Sequence, residues 1–113
     1  MNKKPHCIII TGRPGSGKTT LAAELSKMMY LPSISRDELK EGYVNTFGVK
    51  HDRLPEDTNG LVNTVFFDTI LMMLKGHISI VIEAAFQHKV WDQVIPRIQP
   101  VARPTIILCE LSA

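Results

Sequence analysis

Apolar residues recur along this chain in two rhythms. Residues 7–11, 78–82 and 105–111 are short, nearly unbroken apolar runs. Runs of that length without alternation predict strands covered on both faces. Between them, apolar residues return every third or fourth position, which predicts helices with one core-facing stripe. Over 18–30 that stripe is Leu21, Ala22, Leu25, Met28 and Met29, with the methionine pair read as core filler and Pro32 as the stop. A short second strand is expected at 31–35. Ser35 then offers an N-cap and Glu38 completes a capping box, so a second helix begins there. Residues 45–57 show no period and predict the one long irregular stretch, carrying Gly48, Lys50, His51, Asp52, Arg53 and Pro55. Such loops serve as lids or substrate loops, although most charge-rich loops are simply wet. A long helix follows over 56–75, burying Leu61, Val62, Val65, Phe66, Thr69, Ile70, Met73 and Leu74, with Gly76 as its stop. Residues 87–98 predict a further helix with Val90, Val94 and Ile98 on one face, and Pro100 and Pro104 bracket the turn before the last strand.

Strands separated by helices imply right-handed crossovers, a parallel sheet and helices on both faces. Ligands bind at the carboxyl ends of such strands. Those ends fall at residues 11–12, 35–37, 83–84 and 110, and three of them carry polar or charged groups able to share one cleft. With 113 residues the whole chain, 1–113, reads as one domain.

The most specific signal lies where the first strand meets the first helix: Gly12, Arg13, Pro14, Gly15, Ser16, Gly17, Lys18, Thr19 and Thr20. The pattern G-x-x-x-x-G-K-[ST] between strand and helix is the phosphate-binding loop. Its glycines let backbone N–H groups close on phosphate, and the helix dipole points its positive end at the anion. Lys18 is placed for the β- and γ-phosphates, and the Thr19 hydroxyl for magnesium. This motif predicts binding of a nucleoside triphosphate and leaves open what becomes of its γ-phosphate.

Composition narrows the partners. A net charge of +2 argues for neither nucleic acid nor an anionic membrane. No basic stripe with interleaved aromatics supports a nucleic-acid acceptor. No apolar stretch approaches the roughly 20 residues of a membrane span. Residues 1–5 are positive like the start of an export signal, but the apolar run after them is too short for one, so the cytoplasm is the expected compartment. Cys7 and Cys109 lie in apolar runs and read as reduced, buried hydrophobes. With no C-x-x-C and no spaced histidine pair, a zinc site is not expected.

Three segments, the loop 12–19, Ser35-Arg36-Asp37-Glu38-Leu39 and Ile80-Val81-Ile82-Glu83-Ala84-Ala85-Phe86, come in an order that resembles the small P-loop kinases grouped with zeta toxin, chloramphenicol phosphotransferase and the kinase domain of polynucleotide kinase. The resemblance implies a three-layer α/β/α P-loop NTPase fold with parallel strand order 2-3-1-4-5, of which this chain supplies 2-3-1-4. It implies ATP and Mg2+ as cosubstrates and a small hydroxyl-bearing acceptor. It also implies that Asp37 accepts the proton of the attacking hydroxyl, a role the chemistry requires of some carboxylate near the nucleophile. On residues alone, Asp37 is equally a first-turn acid favoured by the helix dipole. Arg36 is a candidate for holding acceptor or phosphate, or else a solvated surface arginine. Glu83 closes a very apolar run where P-loop proteins keep the acid that faces magnesium, the alternative being a strand end facing solvent. His88 and Gln87 follow on the same cleft edge and carry no assigned role.

Members of the group continue past the fourth strand into a lid helix with arginines, a fifth strand and adenine contacts. A lid arginine can be worth roughly 10³ or more in rate. Arg97 and Arg103 are the late arginines here, and neither sits where a lid would be. The chain is therefore expected to be a C-terminally shortened domain, with the apolar 106–108 segment at an open sheet edge, available to a second copy or a completing chain. Two functions follow: an ATP-dependent phosphotransferase with an alcohol acceptor, or a nucleotide-binding module with little or no transfer. An ATPase that drives a conformational change has no sensor-like segment to support it.

Overall fold

The computed structural model describes residues 3–48 and 56–110. Its elements run β1 (His6–Gly12), α1 (Lys18–Met29), β2 (Ser33–Ser35), α2 (Arg36–Phe47), α3 (Thr58–Lys75), β3 (Ile80–Glu83), α4 (His88–Ile98) and β4 (Arg103–Cys109). The strands form one parallel sheet in the order β2-β3-β1-β4, as expected. β1 pairs with β3 from Cys7 to Ile10 and with β4 from His6 to Gly12.

Alternation along β1 sorts the core into two layers. Cys7 and Ile9 point to the face covered by α3 and α4, where they meet Phe66, Ile70, Leu74, Trp91, Val94 and Ile98. Ile8 and Ile10 point to the other face and meet Ala22, with Leu21 and Leu25 of α1 packed alongside. Both faces of β1 and β3 are thus covered, which is why the sequence there is apolar without alternation. α3 contributes every fourth residue, Thr58, Val62, Phe66, Ile70 and Leu74, to its buried line.

Several expectations give way to the packing. The α1 stripe runs off the sheet before the helix ends, so Met28 and Met29 are exposed, at 73% and 46%, instead of filling core. α1 stops because Tyr30 takes a left-handed conformation and its N–H caps Ser26, two residues before Pro32. The α3 line is narrower than expected and leaves Leu61 and Val65 on its outer side. α3 starts at Thr58 and β3 at Ile80, after a turn in which His77 is left-handed and Ile78 exposed. On α4, Trp91 takes the buried position with Val94 and Ile98, and Val90 is half-buried. α2 extends through Asn45, Thr46 and Phe47, so the irregular stretch is shorter than expected; Gly48, left-handed, caps it. Lys50, His51, Asp52, Arg53 and Pro55 lie outside the described residues. Ser35 caps α2 by accepting from the Glu38 N–H at 3.4 Å, but the return half of the capping box is not formed. Pro104 does not bracket a turn; it lies within β4 opposite Cys7, which an edge strand tolerates.

β4 is that edge. Its Ile106 and Leu108, on the α3/α4 side, are 56% and 60% exposed, while Ile107 packs on the α1 side. Cys109 is only partly buried, unlike Cys7. Where β1 ends, Gly12 has φ +146, and a Cβ there would sit 2.3 Å from the Cys109 carbonyl oxygen. This glycine is required by the close approach of β4.

Two outcomes follow. Gly12→Ala should lower stability by roughly 1–3 kcal/mol through that clash. Gly15→Ala, with open space around it, should cost only the roughly 1 kcal/mol of a left-handed alanine. Urea midpoints of the two variants test the order. Burial pushes the Cys7 thiol up from 9.0 to about 12. Its folded pKa therefore exceeds its unfolded one, and its contribution is complete below pH 9.0 and lost as pH rises toward about 12. Between those limits the urea midpoint should fall more steeply in the wild type than in Cys7→Ala. Near pH 8, iodoacetamide should label Cys109 well before Cys7.

Candidate active site

The loop after β1 is shaped for an anion. α1 begins at Lys18 with left-handed Gly17 (φ 87) as N-cap, no side-chain cap and no acidic residue in its first turn. Its first N–H groups and the positive end of its dipole are left for a ligand. The Lys18 side chain is nearly buried and its Nζ donates to the Arg13 carbonyl at 3.0 Å, reaching back across the loop. The same carbonyl accepts from the Ser16 N–H at 3.2 Å. The Ser16 hydroxyl is buried without a partner among the described residues. A buried ammonium without a carboxylate among the described residues, an orphaned hydroxyl and a bare helix N-terminus fit a polyphosphate.

Next to the loop, the Thr19 hydroxyl donates to Glu83 Oε1 at 2.9 Å. Glu83, the last residue of β3, is 1% exposed, so it is no solvent-facing strand end. β3 is paired directly with β1, with Ile10 opposite Glu83. The described residues hold no cluster of three acidic, histidine or cysteine side chains. One hydroxyl and one buried carboxylate suit a magnesium that takes its other ligands from water and phosphate.

One strand further out, Ser35 lies in register with Glu83, so β2 stands two strand spacings, roughly 10 Å, from β1. Asp37, in the first turn of α2, points a carboxylate into water there, its side chain 73% exposed. Arg36 behaves differently from a surface arginine. Its side chain is 13% exposed, and its guanidinium bonds Asn63 and Asn59 of α3 and lies 3.9 Å from Asp37. The sequence reading missed both asparagines; their spacing of four on the polar side of α3, near its start, was the available signal. Loop 12–20, Thr19 with Glu83, and Arg36 with Asp37 therefore line up along one carboxyl edge, in the spatial order β1, β3, β2.

On the other side of the loop, a cleft of about 940 Å³ opens between α4 and the exposed side of β4. Gly12, Arg13, Pro14, Phe86, Trp91 and Ile106 are among its walls. Trp91 Nε1 donates to Thr11 Oγ1 at 2.9 Å, fixing α4 against the end of β1. His88 at its rim pairs with Asp92, 3.2 Å away, one turn along α4. Arg97 closes α4, and Arg103 opens β4 opposite His6, so both belong to the amino edge of the sheet.

A profile of the AAA domain family matches residues 8–95. No curated protein matches the sequence. Among solved structures, a candidate kinase from Chloroflexus aurantiacus superposes with a TM-score of 0.86 at 24% identity, over 96% of this chain and 61% of that one. A chain of the Pnkp1/Rnl/Hen1 RNA repair complex gives 0.81 at 16% identity, over 99% of this chain and 35% of its own length. A gluconokinase from Sinorhizobium meliloti gives 0.61 at 16% identity, over 98% and 61%. The chain thus spans less than two thirds of the length of each of these neighbours. Its own length, from within β1 into α4, carries the profile, and the chain belongs to the AAA domain family with a P-loop kinase-like fold.

Proposed function

We propose that this chain is the nucleotide- and acceptor-binding part of an ATP-dependent phosphotransferase acting on a hydroxyl group, in the group of zeta toxin, chloramphenicol phosphotransferase and polynucleotide kinase. The observation that carries this reading is the Thr19–Glu83 hydrogen bond, which joins the phosphate loop to a buried carboxylate one strand away from Asp37. The loop N–H groups, Ser16 and Lys18 hold the phosphates. Thr19 and Glu83 hold Mg2+, which supplies charge neutralisation on the β- and γ-phosphates. Asp37 accepts the acceptor's hydroxyl proton while that oxygen bonds to the γ-phosphorus and the bond to the ADP oxygen breaks. Arg36 stands on the acceptor side. The nucleoside lies in the cleft between α4 and β4.

A second reading, nucleotide binding with little or no transfer, draws on one observation. Among the described residues, the late arginines Arg97 and Arg103 sit at the amino edge, about the length of β1, roughly 20 Å, from the loop. Neither can serve the transferring phosphoryl group from there.

Calorimetric titration should show Mg–ATP binding that Lys18→Ala abolishes. With a competent acceptor, Asp37→Asn should lower transfer roughly 10²–10⁴-fold and change ATP affinity less than twofold. Binding without measurable transfer to any acceptor selects the second reading. No binding by the folded chain rejects both.

A further inference from the structure

Arg36 is held in a way a general surface role does not call for. Its Nε donates to Asn63 Oδ1 at 2.9 Å and its Nη2 to Asn59 Oδ1 at 2.9 Å, with the Asn59 carbonyl at 3.5 Å. Asn59 and Asn63 are one turn apart on α3 and present their amide oxygens together. They occupy the Nε/Nη2 edge of the guanidinium and leave Nη1, whose nearest acidic oxygen among the described residues is Asp37 Oδ1 at 3.9 Å. That is too long for a hydrogen bond, and the carboxylate is mostly in water.

Among the described residues its close countercharge is the exposed Asp37 carboxylate, so the charge is firmly oriented and only weakly neutralised. Amide oxygens satisfy donors but carry no countercharge, and a largely buried cation is costly in that state. The surroundings add to the positive potential. Arg36 opens α2, and Asn59 lies in the first turn of α3, so two helix N-termini meet at the guanidinium. The hydroxyl of Thr58, a residue 3% exposed at the same helix start, has no partner among the described residues. Among the described residues, the acids that flank these two helix starts in sequence, Asp37, Glu38, Glu56 and Asp57, are all exposed.

We propose that Arg36, positioned by Asn59 and Asn63, binds an oxyanion on the acceptor, a phosphate or carboxylate group carried close to the hydroxyl that Asp37 deprotonates. The acceptor class is then a hydroxyl compound with an anionic substituent. A free guanidinium end beside the base fixes both the anion and, through it, the attacking oxygen. The acceptor's part in this rests on the phosphotransferase reading; the anion site itself does not.

The test is residue-resolved. The Arg36 Nε–Hε resonance of the full 113-residue chain is assigned with Arg36→Gln. It is then followed while inorganic phosphate, and separately acetate, is added to chain saturated with Mg–ADP. A saturable shift with either anion is expected, phosphate or acetate marking the class. The Asn59→Ala/Asn63→Ala pair should weaken that anion at least tenfold and change ADP affinity less than twofold. If the pair does not fold, Arg36→Lys, which keeps the charge and loses the fork, should give the same loss by calorimetry. No saturable shift with either anion, or unchanged affinity in these variants, overturns the site. A chain that does not bind ADP fails the nucleotide reading alone, since the Arg36 signal is followed equally well without it. Phosphorylation of a neutral polyol, unaffected by Arg36→Gln, would leave the kinase and remove the anion site.

Discussion

The ladder that holds β1 between β3 and β4 fixes everything at the candidate site. Its hydrogen bonds join backbone to backbone whatever the side chains are, and their register sets Ile10 beside Glu83 on one flank and Gly12 beside Cys109 on the other. From that register the loop, the buried carboxylate and the acceptor-side pair inherit their spacing. Neighbouring strands stand about 4.8 Å apart, so successive carboxyl ends offer functional groups at intervals close to the size of a phosphoryl group and its attacking hydroxyl.

Four side-chain bonds then fasten helices at that edge. Thr19 of α1 reaches Glu83 of β3, Trp91 of α4 reaches Thr11 of β1, and Asn59 and Asn63 of α3 reach Arg36 at the start of α2. The first two bonds set the height of a helix against a strand end, and the asparagine pair sets α3 against the start of α2. Burial makes the Trp91, Thr19 and Asn63 bonds matter most, because an unmade one leaves a polar group short of water. The apolar layers hold the helices on the sheet, and the polar bonds at the edge decide where along it they stop.

Much of this was legible in the sequence. The run Cys7 to Ile10, the glycine loop and the buried position of Glu83 follow from local rules: unbroken apolar runs in a covered sheet, and a loop whose residues are dictated by backbone conformation. Strand order came through resemblance to known kinases. What failed did so where tertiary packing sets the outcome. Met28 and Met29 keep the helical period, but no sheet lies beneath them, and period alone cannot show where a sheet ends. Leu61 and Val65 belong to a wider stripe than α3 has neighbours to cover. Asn59 and Asn63 carried only their spacing of four as a signal, and an amide pair on a polar helix face gains meaning from the arginine that a separate element brings to it.

The contact between Gly12 and the Cys109 carbonyl also orders events in time. Ribosomes make the phosphate loop first, and the strand that braces its entry only some ninety residues later. Until Cys109 has left the exit tunnel, β1 lacks one of its two neighbours and presents an open ladder to whatever is nearby. A nascent chain of this kind has its most recognisable binding sequence early and its binding geometry late, so during synthesis the motif alone is no guide to the state of the site.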